Sequence, residues 1–367
     1  MEGVWRRGAG VTAAASRWSW RSRSPRKARS FRWYCSIPGI GGVMRRRTFL
    51  AASVLSSFAC SRRGGGPLRK LRIGAPLGLG TAALYLSHEL GYFREAGFET
   101  EITTFARAAE GTTALAGGKL EVLLAAQNPS WMNAIVRGVP IRVVAAREKF
   151  SPSCRRMAFL AALKSKHPEG LQDLRVLKGK RVIVGGGVGT LQFALTQHLA
   201  QAGLTLDDVV IVNLTGPDAM AALFSGSVDA MVVFDESLLP DKRPELVFSR
   251  GFAELYPNYQ YGLILFGESL RREDVSVGRR FLQAYFRGVR GFVQGKTPKF
   301  VRDFADYRGV DALKMESVCR DNYVADGQVD AQSLRLFADW AFRHGYLTRQ
   351  VKVSELMDLR FLNRHDA

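Results

Sequence analysis

The chain has 367 residues, 47% of them hydrophobic, which excludes a disordered protein and supplies core material for one large domain or two ordinary ones. Its formal net charge of +20 points at first to nucleic acid or a membrane surface. Residues 1–70, however, hold 16 of the 53 basic residues and one of the 33 acids, leaving 37 and 32 in residues 71–367, a balance of about +5 that is ordinary for a globular domain and gives no nucleic-acid-binding surface.

Residues 1–43 are rich in Arg, Ser, Gly and Trp and show neither helical nor strand period. They are expected to be a mis-assigned or disordered extension ahead of a true start at Met44, the alternative being a basic, aromatic arm (Trp18, Trp20, Arg21) for nucleic acid. Residues 44–60 read as an export signal: Arg45, Arg46 and Arg47 precede a short apolar run from Phe49 to Ala59 that is too short to span a bilayer permanently. The stretch Arg46-Arg47-Thr48-Phe49-Leu50 is of twin-arginine type. Cys60 stands where a lipoprotein carries its lipid, but Ser57 and Phe58 replace the usual leucine-led box, so lipidation of Cys60 and ordinary cleavage nearby both remain open. Residues 61–70 make a linker.

From Leu71 a pattern begins that occurs twice. The strand Leu71-Arg72-Ile73-Gly74-Ala75 runs into the glycine-rich turn Gly78-Leu79-Gly80-Thr81 and then a helix carrying Leu84, His88 and Leu90, ended by Gly91. A second strand over 98–105, a turn at Glu110-Gly111-Thr112-Thr113, a short helix and a buried strand over 122–126 follow. The second copy has a strand over 180–184, the turn Gly185-Gly186-Gly187-Val188-Gly189-Thr190, a helix with Phe193, Leu195 and Leu199 closed by Gly203, a strand over 209–212, and a corner over 222–230. In both corners, Ala114-Leu115 with Gly118 and Glu121 and Ala222-Leu223 with Gly226 and Asp229, the glycine is expected to stop the helix in the left-handed region and the acid to start the next strand. The repeat predicts two similar α/β lobes, each a mainly parallel sheet flanked by helices. Further on, Phe281, Leu282, Tyr285, Val289 and Phe292 fall at helical spacing and read as a core stripe.

Taken together, Leu84 to Phe98 with its Gly91-Tyr92-Phe93, Asp173-Leu174 followed by Leu177-Lys178-Gly179-Lys180-Arg181-Val182, and the 222–229 corner resemble the periplasmic solute-binding proteins of ABC importers for nitrate, sulfonate and taurine (SsuA/THI5-like), from about Leu71 to Leu347. The chain departs from that pattern where Arg175-Val176 splits one motif and where Phe234-Asp235-Glu236-Ser237 replaces an acid followed by proline. The resemblance implies the two-lobed periplasmic-binding-protein type II fold. Its expected parts are lobe one at 71–157, lobe two as an insertion at 158–260, and a return to lobe one with C-terminal helices at 261–367. It also implies a small-molecule solute, a permease and ATPase as partners, a monomer in the periplasm or on the outer face of the membrane, and hinge closure without chemistry.

Ligands of open α/β sheets sit beyond the carboxyl ends of strands, where helix N-termini offer N–H groups. Gly78, Gly80 and Thr81 occupy that place in lobe one, and Gly187, Gly189 and Thr190 in lobe two, each Thr being expected to cap its helix. Thr113, Gln127, Asn128, Thr215, Phe234 and Asp235 follow comparable strand or loop ends. Two helix N-termini favour an anion, whereas Asp235 favours a cationic group, and the sequence does not resolve the two. No cofactor or metal is expected: Cys35, Cys60, Cys154 and Cys319, with His88, His167, His198, His344 and His365, show no ligand spacing. Cys154 and Cys319 read as separately buried thiols, pairing being the alternative in an oxidising compartment. An enzyme on the same fold and a ligand sensor are the competing functions.

Overall fold

The computed structural model describes residues 67–362 except 106, 240–242, 309–310 and 317, so the leader, Cys60 and His365 lie outside the described residues. Contacts divide the chain between Arg62 and Arg63, and the described residues all fall in the second unit.

Strands β1 (Arg69–Pro76), β2 (Phe98–Phe105), β3 (Val122–Ala126) and β4 (Arg142–Lys149) enter one sheet. The next five, β5 (Met157–Leu163), β6 (Arg181–Ile183), β7 (Val210–Val212), β8 (Ala230–Asp235) and β9 (Leu246–Phe248), form another. The last, β10 (Gln260–Phe266), returns to the first. The orders are β2-β1-β3-β10-β4 and β7-β6-β8-β5-β9, and the two are equivalent: β1 is parallel to β2 and β3 as β6 is to β7 and β8, while β10 and β5 are the antiparallel member of each. This is the two-lobed α/β architecture that the repeat predicts. The chain passes between sheets over residues 150–156 and 249–259.

The repeat extends to individual hydrogen bonds. Helix α1 (Ala82–Glu89) follows β1, and α2 (Ala108–Ala116) leads to the first corner, where Gly118 at φ 69° donates to Leu115 O and Lys119 to Ala114 O. In the second lobe α3 (Thr190–Gln201) follows β6, and α4 (Gly216–Phe224) ends with Gly226 at φ 71° donating to Leu223 O and Ser227 to Ala222 O. Both are Schellman endings, which need the left-handed residue that glycine supplies. The acids after them act alike: Glu121 accepts from the Arg72 N–H at 2.7 Å and Asp229 from the Arg181 N–H at 2.9 Å, so each carboxylate holds two parallel strands together at their amino ends.

The C-terminal half adds α5 (Val275–Val293), whose Phe281, Leu282, Tyr285, Val289 and Phe292 are all buried on lobe one, and α6 (Ala331–Arg343). Helix α6 joins the lobes. Phe193 of α3 packs edge-on against Phe337 and Trp340 of α6 at 5.8 and 5.5 Å and against Phe252 of the return crossing at 5.9 Å, in one continuous core. The crossings are also tied to each other, since Phe150 N–H donates to Tyr259 O and Asn258 N–H to Phe150 O, both at 2.9 Å. Of the non-glycine residues with positive φ among those described, Ala158 at 48° lies at the start of β5, just after the first crossing, and Asn258 at 62° in the return crossing.

One expectation is overturned here. Cys154 of the first crossing and Cys319 are joined as a disulfide with Cα atoms 5.6 Å apart, not separately buried. The reason is topological: residues 322–324 run beside β4, with Glu148 bridged to Tyr323 and Lys149 N–H donating to Asn322 O, which brings Cys319 alongside a crossing 165 positions earlier. No described helix is long and apolar enough to cross a membrane.

Candidate functional site

Both glycine-rich turns stand at the carboxyl ends of first strands, but neither threonine caps its helix. Thr81 precedes α1 with φ −97° and ψ 0°, away from the extended backbone that a capping side chain needs, and its fully buried hydroxyl donates backward to Gly78 O at 2.7 Å. Thr190 is already the first residue of α3, Gly189 holding the cap position, and its hydroxyl reaches across to lobe one and donates to Gln127 O at 3.2 Å. A Cβ on Gly189 would lie 3.3 Å from that same oxygen and 3.7 Å from the Asn128 Cβ. The second turn thus touches the end of β3, with Gly186 and Gly187 at φ 84° and 78° supplying the reversal.

The other expected residues divide. Gln127 and Asn128 are at the contact, but their side chains serve the scaffold: Gln127 Nε2 donates to Gln260 O at 2.5 Å, and Asn128 caps the helix Pro129–Val136 by accepting from Ser130 N–H at 2.9 Å. Thr113 is misplaced by the sequence reading. The expected turn at 110–113 lies inside α2, which begins at Ala108 because one glycine among alanines does not break a helix, and Thr113 is exposed along its side. Thr215 holds the cap position of α4 but is exposed and makes no capping bond. Phe234 and Asp235 end β8, Asp235 buried opposite Met157 and Phe234 packed edge-on against Tyr261 of lobe one at 5.2 Å.

Tyr261 leads to residues that the sequence did not single out. In β4, Glu148 pairs with Gly262 and Ala146 with Leu263, so Arg147 is an extra residue, a β-bulge. In a regular strand neighbours point to opposite faces; here the Arg147 guanidinium and the Glu148 carboxylate meet at 2.6 Å, each 2% exposed. Arg147 Nη1 also donates to Gly80 O, and Tyr323 Oη donates to Leu79 O at 2.9 Å, so the first glycine turn lies directly on this pair. Tyr261, hydrogen-bonded to Glu148 and to Asn322 Nδ2 at 3.3 Å, and Tyr285 complete the cluster. Burial raises the Glu148 carboxyl to about 7, against the opposing pull of Arg147 and of the Tyr261 hydrogen bond. Burial pulls Arg147 down, but Glu148 together with Tyr285, Tyr261 and Tyr323 outweighs that and raises it. Burial likewise pushes the phenols of Tyr261, Tyr285 and Tyr323 up, so all three stay neutral donors at neutral pH. The only sequence signal was a charged Arg147-Glu148-Lys149 ending the apolar run 143–146, which reads as a strand leaving the core.

Among the described residues no group of three or more His, Cys, Asp or Glu side chains could hold a metal. Two equivalent open sheets joined by two crossings, with a glycine turn at the carboxyl end of the first strand of each, define a two-lobed binding-protein fold. The chain belongs to the NMT1/THI5-like family, whose model matches residues 80–296. Solved structures share the fold. The alkanesulfonate-binding protein SsuA from Xanthomonas axonopodis pv. citri bound to MOPS has a TM-score of 0.63 and 19% identity over 80% of this chain and 99% of that one. The periplasmic aliphatic sulphonate binding protein SsuA from Escherichia coli has 0.63 and 19% over 79% and 92%. The periplasmic nitrate-binding protein NrtA from Synechocystis PCC 6803 has 0.58 and 12% over 78% and 84%. In sequence, a Bacillus subtilis (strain 168) protein named as aliphatic sulfonates-binding is 24% identical over 202 residues, 53% of this chain. The match spans 59% of the length of that curated relative.

Proposed function

We propose that this chain is the extracytoplasmic solute-binding component of an ABC importer, capturing a small anion of sulfonate, nitrate or taurine type between its lobes by hinge closure and doing no chemistry on it. The observation that carries the reading is the contact of the second glycine turn with the carboxyl edge of the first sheet. Gly189 and Thr190 touch the end of β3, next to β1, whose own turn holds Gly78, Gly80 and Thr81. Neither helix start is capped by a side chain, so each leaves N–H groups and a positive dipole end, worth about 0.3–1 kcal/mol toward an anion. The sulfonate and nitrate binding stated for its relatives supports the same class of ligand. Gly78, Gly80, Thr81, Gly187, Gly189, Thr190 and Phe234 line this cleft, Gln127 and Asn128 support it, and Asp235 closes it at the hinge side.

The disulfide suits an oxidising compartment and thus export by the leader after Met44, followed either by lipidation of Cys60 or by ordinary cleavage nearby. A permease and ATPase are the partners of the closed monomer. The test is a thermal-shift screen of sulfonates, nitrate, carboxylates and amino acids on the mature chain, followed by small-angle scattering. A ligand at 100 times its Kd stabilises by about 2.7 kcal/mol. A true ligand raises Tm and compacts the particle; binding without compaction refutes hinge closure, and no stabilising anion refutes the anion reading.

A further inference from the structure

Among the described residues, five buried side-chain polar atoms lack a hydrogen-bond partner, and four of them belong to the cluster beneath the first glycine turn: Arg147 Nε, Glu148 Oε1, Tyr285 Oη and Asn322 Oδ1. Native proteins leave few such atoms, because each costs about 1–3 kcal/mol of desolvation. Four in one place, flanking an ion pair inside a protein whose lobes move, describe an arrangement that is incomplete without a guest. The pair is held loosely for its chemistry. Guanidinium and carboxylate are able to meet through two parallel bonds, but here Arg147 offers Glu148 one nitrogen, which it shares with Gly80 O, and turns no bond from Nε. The cover is close as well: a Cβ on Gly80 would lie 2.5 Å from Glu148 Oε1 and 2.8 Å from Arg147 Nη1, so the turn can rest on the pair only because residue 80 is glycine.

We infer that Glu148 is a built-in counter-ion that a bound oxyanion replaces: the anion takes the Arg147 guanidinium through Nε and Nη, and Glu148, released from it, takes up one proton from solvent. The inference rests on the anion-binding reading above and adds to it a linkage between solute capture and proton uptake. The balance is simple. One anion and one proton enter, no covalent bond to the solute forms or breaks, and the cluster keeps its net charge. The alternative, two carboxylate-like charges around one buried arginine, leaves one charge unpaired in a low-dielectric interior. The groups that face Glu148 are Arg147 on β4, Tyr261 on β10, Tyr285 on α5 and Tyr323 beside β4; apart from the arginine they are neutral phenols, so no other acid competes for the proton. The upward shift of the Glu148 carboxyl toward neutrality agrees with a group ready to change state.

The test is isothermal titration of the whole mature protein with methanesulfonate, taurine and nitrate at pH 5.5 and 8, in buffers of low and high ionisation enthalpy. We expect the anion that binds to take up about one proton at pH 8 and none at pH 5.5, with affinity falling about tenfold per pH unit above 7. Glu148→Gln, close in shape and uncharged, is expected to bind with no proton uptake and a flat pH profile. The double variant Arg147→Met/Glu148→Gln, which leaves no buried charge unpaired, is expected to lose binding by about a hundredfold or more while unfolding at a urea concentration no lower than that of Glu148→Gln. Anion binding with no proton uptake at either pH, or binding unchanged in the double variant, overturns this inference and leaves the solute-binding role standing. Binding by none of the three anions overturns both.

Discussion

The two glycines of the first turn have the same residue type and opposite constraints, and substituting them separately tests the placement of the charged pair. A Cβ on Gly80 would stand 2.5 Å from Glu148 Oε1, 2.8 Å from Arg147 Nη1 and 2.9 Å from Glu148 Oε2, while one on Gly78 would meet nothing within 4 Å. Gly78 is extended at φ 178°, a conformation open to any residue. Gly80→Ala therefore forces a methyl against two enclosed side chains. Overpacking of this kind costs about 1–3 kcal/mol, and lifting the turn to avoid it also breaks the Arg147 bond to Gly80 O, adding about 1 kcal/mol more. The total is about 2–4 kcal/mol. Gly78→Ala loses no contact and narrows the unfolded ensemble, so it is expected between neutral and about 1 kcal/mol more stable. Urea unfolding followed by tryptophan fluorescence reads the difference as a lower midpoint at unchanged slope for Gly80→Ala only. Equal midpoints for the two variants would refute the packing of the turn on the pair.

Four further outcomes are expected. Thr190→Val removes the hydroxyl that bonds Gln127 O across the lobes and should cost about 1 kcal/mol in urea unfolding, with a larger radius of gyration for the unliganded protein; Thr190→Ser should restore both. Asn258, exposed at φ 62° in the return crossing, should accept Gly within about 0.5 kcal/mol but lose about 1–2 kcal/mol as Val, again by urea midpoint. Because folding raises the Glu148 carboxyl from its ordinary value of 4.5 to about 7, its protonated form is the one that suits the fold. The stability it contributes is complete below pH 4.5, declines as pH rises toward 7 and is lost above it. Wild type should thus weaken relative to Glu148→Gln over that window by on the order of 3 kcal/mol in pH-resolved denaturation. Replacing Cys154 and Cys319 by Ser opens a 165-residue link and should cost about 2–5 kcal/mol, a loss that reductant reproduces in wild type and does not deepen in the variant.

Much of the fold was legible because its signals are local. The strand at 71–75, the helix ended by Gly91 and the two corners with Gly118 and Gly226 each announce themselves within about ten residues, and the second copy confirms the first. The start of α2 was not, because Glu110-Gly111-Thr112-Thr113 has turn composition and its helix forms only with Gly111, Thr112 and Leu115 buried on the sheet. The pairing of Cys154 with Cys319 depends on residues 322–324 lying along β4, a contact between distant parts of the chain that no local pattern encodes. Threonine as a capping residue is a sound rule whose premise, an extended backbone at the cap, fails at Thr81 and whose position, one residue earlier, fails at Thr190.

The site shows why the informative residues were the hidden ones. Glycine turns at strand ends are visible in sequence and mark where a ligand would sit, but they are shared by any protein built on these corners and carry little choice between solutes. In the proposed mechanism Arg147 and Glu148 carry that choice, and they look like the polar end of a strand unless one knows that β4 is covered by residues 322–327 and bulged opposite Gly262. The bulge turns a pair that would straddle the sheet into a pair that shares one pocket, and Gly262, whose Cβ would lie 2.7 Å from Glu148 Oε2, is what makes room for it. On the proposed reading the carboxylate that exchanges is Glu148, which lies under Gly80 and is paired with Arg147, so an anion at the turn would meet a cation with a replaceable partner; the Asp235 carboxylate at the end of β8 is a separate charge.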